Sequence, residues 1–226
     1  MRFYNVEAET APEVTGSKNG VYSVEIKDRH SFASMEDKGI WKDYCTENRR
    51  DKSRVLLNHY VPLDTALLTD PITFFPIGKR IEQLDFMAHA PYVRGLQFLV
   101  TQRVYEVISK YRLPVHSKVL AKIDTFDQSY YLIGFPLLGA DAYDFDKSTF
   151  WDHRSGTHVR FRDAEDYETA EYERLTASAQ SLYLNERVEY DIVKTTKGVF
   201  FSSDIIGKFE REGITGYRIA EGVLEN

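Results

Sequence analysis

Residues able to do chemistry are present in this chain, but few stand at spacings that chemistry requires. The segment Trp151-Asp152-His153-Arg154-Ser155-Gly156-Thr157-His158 brings a carboxylate and two imidazoles close together, all ligand types for zinc. The two histidines are five residues apart in a Ser-Gly loop, so they lack the shared helix face of a His-x-x-x-His pair. Asp141, Asp144 and Asp146, with Asp127, could supply an acid/base pair or a calcium site. No glycine follows Asp144-Phe145-Asp146 where a calcium loop needs one. Phe75-Pro76-Ile77-Gly78-Lys79-Arg80 has the Gly-Lys of a phosphate loop. Thr73 stands at the upstream glycine position and Arg80 replaces the magnesium-binding hydroxyl, so a turn opening a helix is the expectation. Cys45 has His30 and His59 as sequence-level partners, but Asp43 and Glu47 beside it are expected to raise its thiol pKa. Gly134-Phe135-Pro136-Leu137-Leu138-Gly139 is not a Gly-x-Ser-x-Gly elbow. His89 and His116 stand singly. These readings assign no catalytic residue, metal ligand or cofactor.

Charge is more informative. The 226 residues carry a formal net charge of −6, which disfavours generic binding to phosphate backbones, since that depends on excess Lys and Arg. The 15 Tyr and 14 Phe are not interleaved with basic residues, so no platform for stacking nucleic-acid bases is indicated. From Asp163 to Glu173 run six carboxylates, Asp163, Glu165, Asp166, Glu168, Glu171 and Glu173, without a Lys or Arg. Such a run is either a solvated helix face or a landing surface for a cationic protein. These six are the candidate binding residues.

The elements that must position these groups follow from periodicity. Phe3 to Val6 and Gly20 to Ile26 read as strands, and residues 1–60 as strands joined by polar loops, with 45–54 exposed. Lys79 to Ala88 reads as a helix with Ile81, Leu84 and Ala88 on one side. Gly95 to Val100 is a strand, Thr101 a helix cap, and Val104, Val107, Ile108 and Tyr111 an apolar helix face ended by Leu113-Pro114. Extended chain from Lys118 to Ile123 follows. Near the C-terminus Gly198 to Phe201 is a strand, Ser202 and Ser203 the cap, and Ile205, Ile206 and Phe209 the helix face. Gly213 ends that helix and Ile214 to Ile219 returns as a strand. Thr101 and Ser202, Val104 and Ile205, Ile108 and Phe209, and Leu113 and Ile214 correspond at a constant offset of 101. Between these units, Ser129 to Phe135, Val159 to Arg162, Ser181 to Leu184 and Tyr190 to Val193 read as strands. Residues 164–180 read as a helix with Tyr167, Leu175 and Ala179 inward.

The fold class expected is α+β, with mixed sheets and a strand, capped helix and strand unit occurring twice. One domain over 1–226 is expected, or two packed halves, 1–125 and 126–226. The start, Met1-Arg2-Phe3-Tyr4-Asn5-Val6-Glu7, has no apolar core of a signal peptide. No apolar stretch approaches a membrane span, and the single cysteine suits a cytoplasmic protein.

Three passages resemble a known family. They are Tyr130-Tyr131-Leu132-Ile133-Gly134-Phe135 leading to Asp144-Phe145-Asp146-Lys147-Ser148-Thr149-Phe150; Tyr190-Asp191-Ile192-Val193; and Val199-Phe200-Phe201-Ser202-Ser203-Asp204-Ile205 with the ending Gly213-Ile214-Thr215-Gly216-Tyr217. The family is that of bacterial polymorphic-toxin immunity proteins, of the immunity-protein-eleven type first catalogued as a domain of unknown function. The first 90 residues carry no part of the resemblance. It implies a cytoplasmic, non-enzymatic protein that binds a cognate toxin domain, such as a basic nuclease, and occludes its active site. It transfers no catalytic residues and implies no cofactor, no direct nucleic-acid contact and no membrane. Two other classes stay open: a hydrolase or metal-dependent enzyme built on Asp141, Asp144, His153 and His158, and a secretion-system accessory or adaptor.

Overall fold

The computed structural model describes residues 2–28, 30–172, 177–185 and 188–225; of the side chains at 171, 172, 177–179, 221–223 and 225 nothing is said. The N-terminal half contains β1 (Arg2–Ala8), a short α1 (Pro12–Thr15), β2 (Val24–Ile26) and α2 (Met35–Arg50). It continues with β3 (Ile72–Pro76), β4 (Phe86–Met87), β5 (His89–Ala90), β6 (Phe98–Thr101), α3 (Gln102–Ile108) and β7 (Ser117–Ile123). The rest contains β8 (Ser129–Gly134), β9 (Thr149–Asp152), β10 (Thr157–Val159), α4 (Ala164–Tyr172) and β11 (Ala177–Tyr183). Last come β12 (Ile192–Thr195), β13 (Gly198–Ser202), α5 (Ser203–Glu212) and β14 (Tyr217–Glu225). The class is α+β.

Two seven-stranded mixed sheets organise these elements. One runs β10-β9-β11-β14-β1-β13-β12 and the other β4-β6-β8-β7-β3-β2-β5. The first strand of the chain thus lies in the sheet built otherwise from the C-terminal third. β6, β8 and β13 carry continuous buried runs because both of their faces are covered, whereas β7 alternates. In β13, Phe200 joins a core beneath α4 while Val199 and Phe201 face the layer holding α3 and α5. In β6, Phe98 and Val100 face that same layer and Leu99 faces the core beneath α2. Successive side chains of a strand point to opposite faces, so each three-residue run feeds two cores. The middle layer ties the sheets together. Phe209 of α5 is fully buried, with Phe86, Phe201 and Tyr217 ring centroids 5.4–5.9 Å away.

The segments β6-α3-β7 and β13-α5-β14 share a layout. In each, the two strands flank one intervening strand, β8 or β1, that is antiparallel to both. Their caps differ. The Thr101 hydroxyl accepts from the Val104 N–H at 3.5 Å and donates to Asp85 Oδ1 at 2.8 Å. Ser202 occupies the cap position of α5, but its hydroxyl makes no capping bond, contrary to the sequence expectation. As the last residue of β13, paired with Phe3, Ser202 is wholly buried and its Oγ lies between packed layers. Gly213 does adopt the left-handed C-terminal conformation, at φ 63°. Asp85 then joins the sheets: its carboxylate also accepts from the N–H and hydroxyl of Thr215, at 3.0 and 3.1 Å. These contacts give a structural reason for Gly-Ile-Thr-Gly-Tyr at 213–217.

Further sequence expectations need correction. The strand expected over Val159 to Arg162 instead ends at Val159, as part of β10. Residues 35–50 are a helix, not strand and loop. Its inner face is Asp37, Trp41, Tyr44 and Asn48, at helical spacing but half polar, so hydrophobic periodicity is weak there. Lys79 to Ala88 is not helical; Phe86 and Met87 are drawn into β4 beside Val100 and Leu99. The strand expected from Gly20 begins only at Val24, because Asn19 Oδ1 accepts from the Val21 and Tyr22 N–H groups in a local turn. The helix expected over 164–180 ends at Tyr172, and Ala179 lies in β11; Leu175 is outside the described residues. Among the described residues, no helix is long and apolar enough to cross a membrane.

Candidate functional site

The acidic run lies on α4 and at its start. Asp163 Oδ1 accepts from the Asp166 N–H at 2.9 Å, capping the helix. The Asp166 carboxylate accepts from the Arg162 N–H, Nε–H and Nη2–H at 3.0–3.4 Å, and these bonds hold its pKa below the usual carboxylate value. Both acids also sit favourably at the positive end of the helix dipole. Part of the run is therefore accounted for by making the helix. Tyr167, buried among Phe145, Phe150 and Phe161 at centroid distances of 5.2–5.9 Å, fixes which face points inward. Asp163, Glu165 and Glu168 are exposed. Among the described residues Glu165 and Glu168 take part in no ion pair. Nothing is said of the Glu171 side chain, and Glu173 lies outside the described residues.

Several of the other candidate groups are engaged locally. Asp152 is buried and accepts from the Arg154 N–H, the Ser155 N–H and the Ser155 hydroxyl, which closes the β9–β10 turn. His158 meets Trp151 edge-on at 5.0 Å. Asp144 accepts from the Lys147 N–H and pairs with Lys147 Nζ at 2.8 Å. The Asp141 carbonyl accepts from Asn185. Among the described residues no group of three or more His, Cys, Asp or Glu could hold a metal ion. The Cys45 thiol is pushed up to about 11 by burial, opposed by Arg49, so desolvation and not its acidic neighbours sets that shift.

Sequence reasoning missed a cationic cleft of about 450 Å³ where the two sheets meet. Its walls are β1 at Asn5 to Ala8, the β12–β13 turn from Lys194 to Val199, and the turn carrying Tyr92, Arg94 and Gln97. The Leu137 backbone stitches its base, bonding to Val55 and Leu57, while the Leu138 N–H donates to the Lys194 carbonyl. Gly198 has φ 147°, and a Cβ there would come within 2.3 Å of Asn5 Oδ1, so glycine lets the Asn5 amide lie against the turn. Gly95, at φ 90°, allows the Arg94 turn to pass beneath Tyr44. Tyr60 braces the same turn, its Oη lying 2.9 Å from the Gly95 carbonyl and 2.8 Å from Ser117 Oγ. Arg94 and Lys194 are in no ion pair among the described residues. The acid on this wall, Glu7, is paired with Arg218 at 2.5 Å. Burial, with the nearby charge of Arg94, lowers the pKa of Lys194 to about 8.

No known family model matches the chain, and no curated protein matches it.

Proposed function

We propose that this chain is a non-enzymatic, protein-binding inhibitor of the polymorphic-toxin immunity type, presenting α4 to a basic toxin domain. The observation that carries this reading is the pair Glu165 and Glu168. They stand exposed on a helix pinned from beneath by Tyr167 and form no salt bridge among the described residues. The resemblance of the three passages and the net charge of −6 support the same reading. Complementary charge steers encounter and suppresses wrong partners more than it adds affinity. Blockade of an active site would also need a standard interface of roughly 1,600 Å² with buried aromatic anchors. In this reading the complex forms in the cytoplasm and the chain performs no reaction.

The test uses the protein encoded by the adjacent gene. Co-expression of this chain is expected to rescue cells from that protein, and the two are expected to form a complex. Each exposed ion pair contributes about 0.2–1 kcal/mol, and reversal turns attraction into repulsion, so E165K/E168K should weaken binding about tenfold, mostly through slower association. No rescue and no complex would reject the immunity reading. Rescue with undiminished binding by E165K/E168K would reject the α4 surface.

A further inference from the structure

Two unlike cations face one cleft, and among the described residues neither is paired with an anion. Arg94 is held from behind, its Nη1–H donating to the Asn48 carbonyl at 3.5 Å and its own carbonyl accepting from Asn48 at 3.2 Å. Lys194 projects from β12 into the same space, and Lys197 joins them at the turn, one of its protons given to the Gln180 carbonyl. Like charges drawn together and desolvated oppose folding unless something offsets them. Glu7 does not, being already engaged by Arg218.

Neutral residues also line the cleft. Asn5 is 5% exposed, and its Oδ1 is buried without a hydrogen-bond partner. Gln97 uses its Oε1 to accept from the Phe135 N–H at 2.6 Å, while its Nε2 is buried without a partner. Both atoms lie beneath the cleft surface, closed off from solvent, so the cations rather than these amides are what the cleft presents to a ligand. Tyr92, 72% exposed at the mouth, offers a flat apolar face.

The geometry points to this cleft as a binding site for a small phosphorylated molecule. A phosphoryl dianion matches two or three cations, where a carboxylate would neutralise only one. The planar fork of Arg94 beside the point charge of Lys194 is a pairing suited to phosphate oxygens. The volume exceeds what a bare phosphate fills and lies within the usual span of small-molecule sites, roughly 300–1,000 Å³. The rest of the ligand would then meet Tyr92 with a ring. The site is independent of the toxin-binding reading, and its residues are distinct from Glu165 and Glu168.

The test is calorimetric titration of the full chain with inorganic pyrophosphate and with adenosine monophosphate, against chloride at matched ionic strength. Saturable binding of at least one probe is expected. Tighter binding of the nucleotide would assign the remaining volume to the ligand's body, and tighter binding of pyrophosphate would assign it to a second phosphoryl group. K194M and R94Q should each weaken binding about tenfold or more, a change equal to one lost charge-assisted contact. K110Q, at an exposed lysine away from the cleft, should leave it unchanged. The inference is overturned if neither probe binds above the chloride control. It is equally overturned if both cleft variants bind as the unmodified chain does, or if K110Q weakens binding as much as they do.

Discussion

Replacing Lys194 by methionine should stabilise this protein. The substitution keeps the unbranched stem and removes a charge held beside Arg94 with no ion-pair partner among the described residues. Burial and Arg94 lower the Lys194 pKa from 10.5 to about 8. At about 1.4 kcal/mol per pKa unit that displacement would amount to roughly 3 kcal/mol. The cleft admits water, which screens the charge, so about 1–2 kcal/mol is the gain expected for K194M near pH 7. The pH dependence has a definite sign. An unfolded chain keeps its lysine protonated up to about pH 10.5, while the folded chain releases that proton from about pH 8. Between those values the unfolded state binds more protons, so the stability of the unmodified protein rises with pH relative to the variant. The advantage of K194M should therefore be complete below about pH 8 and fade towards pH 10.5. Urea unfolding of both proteins at neutral and alkaline pH measures this directly, because titrations common to both cancel in the difference. A variant less stable at neutral pH, or a gap that does not close on the alkaline side, would show that Lys194 is not an uncompensated cation.

Two further outcomes follow from named contacts. Asp37 is buried at the start of α2 and accepts from the Thr69 hydroxyl at 2.6 Å and the Thr69 N–H at 2.8 Å, bonds that hold its pKa below 3.8; D37A should cost about 1–3 kcal/mol in denaturant unfolding, and the stability that the carboxylate contributes above pH 3.8 should disappear as pH falls through its lowered pKa, a loss D37A should not show. G95A places a Cβ 2.7 Å from Tyr44 Oη in a backbone conformation that L-residues rarely adopt, so it should destabilise by more than about 1 kcal/mol and, by displacing Arg94, weaken pyrophosphate binding; unchanged stability and binding would contradict the tight packing of that turn.

What was legible in the sequence depended on whether local chemistry and tertiary packing agreed. The segments β6-α3-β7 and β13-α5-β14 were readable because Val104, Ile108, Ile205 and Phe209 are apolar, helically spaced and all fully buried. α2 was not, because its inner stripe mixes Trp41 and Tyr44 with Asp37 and Asn48, whose burial depends on partners far along the chain at Thr69 and Arg94. The end of α4 was overrun because Ala, Ser and Gln at 177–180 fit a helix locally, while pairing with β9 at residues 149–152 makes them strand. The acidic run was visible as composition, but not the division between the carboxylates that build the helix, Asp163 and Asp166, and those facing outward, Glu165 and Glu168. The cationic cleft left no local trace. Arg94 and Lys194 are a hundred residues apart, and each looks like an ordinary surface residue until β12 and the Tyr92–Gln97 turn are brought together.

Asp37 and Lys194 show why depressed pKa values must be read with the sign of the charge. Both values fall below the ordinary one. For Asp37 the fall means that the protein favours the ion, because two donors from Thr69 meet its carboxylate. For Lys194 the same direction means that the protein disfavours the ion, because burial and Arg94 oppose it. Removing Asp37 should therefore weaken the fold, and removing the charge of Lys194 should strengthen it. A group whose deletion improves the fold is not explained by folding. Two cations sharing one cavity make anion binding the physical account of why it is there.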